Sequence, residues 1–123
     1  MSYFESTSVL IEQLERDLEA RKRKWWEWHK DNPMVYETFE RFTFDAIRSG
    51  RQHYSHWAVV NRIRWDHEIE TKGGDFKISN DYIGFYARLF HAKHPRYDGF
   101  FRLKQLKEES MIESLLDKPN GQV

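Results

Sequence analysis

The sequence predicts a mainly helical single domain, with a long charged helix in front and a short two-stranded element inside it. Three observations carry this. Length is the first: 123 residues make about one domain with a modest core. Apolar side chains recur at three- and four-residue spacing over most of the chain, which is the helical period. Proline, glycine and capping residues then fall at the ends of those periodic stretches.

The first helix is expected from about Thr7 to Lys30. Ser6, Thr7 and Ser8 offer N-caps, and Leu10, Ile11, Leu14 and Leu18 form a stripe that Trp25 and Trp28 continue. Its narrow stripe and charged remainder suit packing on one neighbour, supplied either by the chain's own core or by a second copy in a homodimer. Asp31-Asn32-Pro33 stops it, because proline fits only the first turn of a new helix and pushes the preceding residue out of helical geometry.

A second helix starts with Pro33 at its first position, carries Val35, Phe39, Phe42, Ala46 and Ile47 on one face, and ends at Gly50. Ser55 caps a third, which runs through Trp57, Val60 and Ile63 and past Trp65 until Lys72-Gly73-Gly74-Asp75 breaks the chain. Residues 75–78 alternate polar and apolar and read as a short strand. Ser79, Asn80 or Asp81 caps a fourth helix that faces the core through Ile83, Tyr86, Ala87 and Phe90 and ends at Pro95. Gly99 to Lys104 reads as a second strand that pairs with 76–78, a marginal pair unless helices pack on it. Glu108 to Leu116 forms a last amphipathic turn or two, and Pro119 to Val123 is expected to lack order. The resulting division is 1–30 for the long helix, 31–107 for the compact domain, in a winged-helix-like variant if the strands pair, and 108–123 for the acidic end.

Composition bounds function. Without cysteine there is no disulfide framework, thiolate zinc site or cysteine nucleophile, which fits a reducing cytoplasm. The first twenty residues lack a leader pattern, and no stretch reaches the roughly 20 apolar residues of a membrane span. Net charge is zero, yet it runs −4 over residues 1–20, +4 over 21–30, −3 over 31–40, +6 over 41–107 and −3 over 108–123. Acidic ends bracket a basic middle. Aromatic residues are 16% of the chain, more than so small a core can hide.

Catalysis finds little support. His53 and His56, like His91 and His94, are spaced to meet on one helical face, but HExxH is absent and histidines near helix ends act more often as dipole partners, so no metal or other cofactor is expected. Glu68, Glu70 and Asp75-Phe76-Lys77 mimic the carboxylate and lysine spacing of some metal-dependent nucleases, without the sheet those enzymes need. No GxSxG or phosphate-binding glycine loop is present, and the chain reads as a non-enzyme.

Two binding functions remain. One is nucleic-acid binding, to DNA or RNA, by Arg51, Arg62, Arg64, Lys77, Asn80, Tyr82, Arg88, Arg102 and Lys104, with the fourth helix in the major groove and the following strand on phosphates. The other is protein binding through Leu14, Leu18, Trp25, Trp26 and Trp28, since exposed indoles anchor interfaces. The run GRQHYSHWAVVNRIRWDHEIETKGGDFKISNDYIGFYARLFHAKHP and the later GFFRLKQLK, above all Arg62-Ile63-Arg64-Trp65, Phe76-Lys77-Ile78, Tyr86-Ala87-Arg88 and Phe100-Phe101-Arg102, resemble a family of small bacteriophage and prophage proteins over residues 31–107. The resemblance implies an accessory protein acting in the cytoplasm of a host bacterium. It would be a nucleic-acid-binding regulator or, alternatively, a factor that inhibits or redirects a host protein such as a defence nuclease.

Overall fold

The structure is a computed structural model and describes residues 3–71 and 77–117, with side chains over 5–67 and 77–117. Five α-helices follow one another among the described residues: α1 (Tyr3–Asp31), α2 (Pro33–Arg48), α3 (His56–Thr71), α4 (Asn80–Lys93) and α5 (Lys107–Asp117), with a 3-10 turn at Pro95–Tyr97. None of them is long and apolar enough to cross a membrane. Contacts divide the chain into two units, 1–24 with 104–123, and 25–103.

Helix boundaries follow local chemistry. Asn32 interrupts the helical path between α1 and α2, and Pro33 takes the first position of α2, where its missing N–H costs nothing. Past Arg48 the backbone turns at Gly50 with φ +95°, a left-handed conformation that a side chain would strain. Ser55 Oγ accepts the Ala58 amide at 3.2 Å to open α3, and Ser79 Oγ accepts the Asp81 amide at 3.2 Å to open α4.

In the first unit, Leu14 and Leu18 are buried and share a face of α1 with Arg21, which reaches Glu108 on α5. Arg21 Nε and Nη2 donate to the two Glu108 carboxylate oxygens at 2.6 and 2.9 Å, a fork-shaped pairing.

The second unit is built around α4. Ile83, Tyr86, Ala87 and Phe90 are fully buried, and Tyr82 and Phe85 nearly so. Tyr86 meets Trp25 at 5.4 Å and Phe39 at 6.0 Å between ring centroids, while Phe90 meets Phe44 at 5.4 Å and Phe101 at 5.8 Å. Such edge-on and tilted rings suit the aromatic quadrupole. From α3, Val59, Val60 and Ile63 complete the core.

The expected strand pair is corrected. Asp75 and Phe76 lie outside the described residues, and residues 77–79 are irregular. Gly99 to Lys104 forms no strand, and the one β contact among the described residues is an isolated parallel bridge between Tyr54 and Phe101. Ile78, Phe100 and Phe101 are buried singly among helices instead. Their loops bond elsewhere: the Phe101 amide donates to His91 Nε2 at 3.1 Å, and the Ile78 carbonyl accepts from Arg64 at 2.7 Å. With those groups occupied, no ladder forms and the winged-helix variant loses its wing.

Candidate functional site

α2 and α3 form a helical hairpin whose outer side carries the most distinctive surface of the second unit. Successive positions of a helix turn by about 100°. With Val59, Val60 and Ile63 turned inward, Trp57, Asn61 and Trp65 are left on the outward face, one turn apart each. The two indoles are 45% and 64% exposed. Their type argues for burial, whereas their position relative to the valines decides against it.

Where α3 faces α2, through residues other than these indoles, there are two recesses. One, of about 240 Å³, is lined by Met34, Val35, Thr38, Arg41, Ile63 and Asp66 among others. The other, of about 200 Å³, is lined by Phe42, Asp45, Ser49, Arg51, Tyr54 and Arg62 among others. Arg62 stands between them, its guanidinium carbon 3.7 Å from the Phe42 ring centre. Arg51 lies 5.2 Å from the Tyr54 ring centre. Both are cation–π geometries, which hold a guanidinium in place while leaving its N–H edge open.

The residues expected to read nucleic acid separate into two groups. Arg51, Arg62, Lys77, Arg102 and Lys104 are exposed. Arg64 instead donates to Asn61, to the Ile78 carbonyl and to Asn80 Oδ1 at 3.1, 2.7 and 2.8 Å, tying α3 to the start of α4. Asn80 is thereby part of that tie. Tyr82 is buried and meets Trp28 at 5.3 Å. Arg88 is half-buried and donates to the Gly84 carbonyl. A groove-entering helix presents a free polar face, and α4 is buried at Tyr82 and Phe85 as well as on its expected stripe.

The residues expected to bind protein differ in exposure. Leu14, Leu18 and Trp25 are buried within the single chain and offer no open seam, and Trp28 is half-buried. Trp26 alone of that set is exposed, at 43%.

The histidines are built into the fold. His91 accepts the Phe101 amide and faces Asp98 at 3.6 Å through Nδ1, and burial lowers its pKa. Burial, with Arg88 and His91 nearby, likewise lowers that of His56. His94 Nε2 meets Glu40 at 2.8 Å. Burial works to raise the Glu40 carboxyl, but that contact and its neighbours outweigh it and hold it below the ordinary value. His91 and His94 thus face different neighbours, whereas His53, exposed and outside the helices, lines a shallow recess together with His56. Among the described residues, no group of three or more potential ligands is placed to hold a metal ion. Of the nuclease-like spacing, the Glu68 and Glu70 side chains and Asp75-Phe76 lie outside the described residues, and Lys77 is exposed.

No protein-family model, curated protein or solved structure matches the chain.

Proposed function

We propose that this protein is a protein-binding module that docks a partner on the outer side of the α2–α3 hairpin. The observation that carries the reading is the pair of exposed tryptophans, Trp57 and Trp65, on α3, a helix that also lines two recesses against α2 through Ala58, Arg62 and Asp66. Water-exposed indoles are costly to leave bare, and tryptophan and arginine dominate binding energy where proteins meet. The site is rigid, since α3 is anchored in the core by Val59, Val60 and Ile63 and tied to α4 by Arg64. A rigid docking face loses little entropy when it is covered.

The nucleic-acid reading fares less well. The +6 of residues 41–107 is offset by the acidic segments to a net charge of zero, and Tyr82, Arg64 and Arg88 are committed to the fold. A phage-type accessory factor that inhibits or redirects a host protein, as the sequence resemblance implies, is the setting that suits a docking face of this kind.

Retention from bacterial lysate tests the reading, using the immobilised wild type and Trp57→Ala/Trp65→Ala, with protein read by mass spectrometry and nucleic acid by absorbance. A protein held by the wild type and lost from the double variant is expected. Nucleic acid retained equally by both, with no protein distinguishing them, would overturn it.

A further inference from the structure

We infer that the partner presents an acidic amphipathic segment, one carboxylate of which enters the recess between Arg51 and Arg62. This rests on the docking reading above and names the chemistry of what docks. The recess holds about 200 Å³, room for a carboxylate side chain. Stacking on Phe42 and Tyr54 fixes both guanidiniums by their faces and leaves their N–H edges, the part that matches a carboxylate, without an acceptor. No described residue accepts a hydrogen bond from either. The nearest carboxylate oxygen, Asp45 Oδ2, is 3.7 Å from Arg62 Nη1, beyond hydrogen-bond distance. Asp45 is already engaged, because its Oδ1 accepts from Arg48 at 2.5 Å. Three arginines therefore surround one aspartate, and the surplus positive charge is local.

The rest of the groove argues for a polypeptide over a polynucleotide. Toward the exposed Met34 the second recess is lined by Thr38, Arg41 and Asp66 over the buried Val35 and Ile63. A strand with a phosphate at every step would set negative charge against Asp66 as well as beside Arg51. A helix that carries a carboxylate near one end and apolar side chains near the other meets each recess with its complement. From Met34 to Ser49, the stretch of α2 that carries both recesses, the helical rise is about 22 Å, which about 15 helical residues of a partner cover.

Selection of a displayed random library of peptides about 15 residues long on the wild-type protein provides the test. Enriched peptides are expected to contain Asp or Glu as well as apolar residues. Binding of a selected peptide should weaken about tenfold in Arg51→Gln/Arg62→Gln, the size of one charge-assisted pair, and by less in Arg62→Lys. Replacing the peptide's acid by its amide should weaken wild-type binding equally and change nothing further in the glutamine variant, the signature of a direct pair. Circular dichroism of each variant excludes unfolding as the cause.

Enriched peptides that depend on Trp57 and Trp65 yet lack acids, or that ignore the arginines, would overturn the inference and leave the docking reading standing. Peptides indifferent to both tryptophans, or an empty selection, would overturn both. Displacement of a selected peptide by single-stranded DNA at lower concentration would assign the groove to nucleic acid. Self-association abolished by Trp57→Ala/Trp65→Ala would assign it to a second copy, and either result overturns the inference.

Discussion

A single carboxylate shows how residue type and position combine. Glu108 is 2% exposed, an environment in which an ionised group survives only when fully paired. Arg21 supplies both hydrogen bonds and holds the Glu108 carboxyl below the ordinary value of 4.5, against the upward pull of burial. Arg21→Ala strands the charge, and we expect a loss of about 3 kcal/mol in urea unfolding at neutral pH. The wild-type contribution is complete above the unfolded-state pKa and fades as pH falls through the lower folded one, so the gap between the proteins should narrow in acid. Equal stability at neutral pH would show that the pair contributes nothing. At this scale the sequence was legible wherever chemistry is local: Pro33, Ser55 and Ser79 begin helices, and Gly50 takes the left-handed turn. Arg64 was not legible, because its partners Ile78 and Asn80 lie 14 and 16 residues away. Nor were Trp57 and Trp65, since a large apolar type says core and only the phase set by Val59, Val60 and Ile63 says otherwise.

Helices, as elements, were read more accurately than what they do. Spacing predicts the α4 stripe Ile83, Tyr86, Ala87 and Phe90, and all four are fully buried. Burial of Tyr82 and Phe85 on the remaining faces is what no periodicity could show, since it depends on Trp28 and Trp25 arriving from α1. That makes α4 the axis of the core. The expected strand pairing fared similarly among the described residues: loops pinned by Arg64 and His91 bury Ile78, Phe100 and Phe101 without a ladder. Contrast between α4 and α3 yields a measurable pair. Phe90→Ala removes a fully buried ring and should cost about 4 kcal/mol. Trp57→Ala, on the outer face, should stay within about 1 kcal/mol of wild type. Thermal or urea unfolding of both variants checks this, and a comparable loss for Trp57→Ala would mean that the indole is structural and the docking face misassigned.

The second unit as a whole should be sensitive to mild acid, and the sign follows from where its histidines sit. His29, His56 and His91 are all lowered from 6.5, with burial the first cause in each, joined by Lys93 at His29 and by Arg88 at His56 and His91. Asp98 opposes the shift at His91 without reversing it. Below 6.5 the unfolded chain takes up protons that the folded chain resists, so unfolding gains free energy as pH falls from 6.5 toward the folded values. Glu40 and Glu108, held below 4.5, add their own losses only at lower pH. Acid destabilisation should therefore come in two stages, the first centred on histidine. Urea midpoints at closely spaced pH values between neutral and strongly acid conditions would separate them. His91→Asn offers a non-titrating acceptor to the Phe101 amide, and it should shrink the first stage while leaving the second unchanged. A midpoint that stays flat until the carboxylate range would show that the buried imidazoles exert no such control.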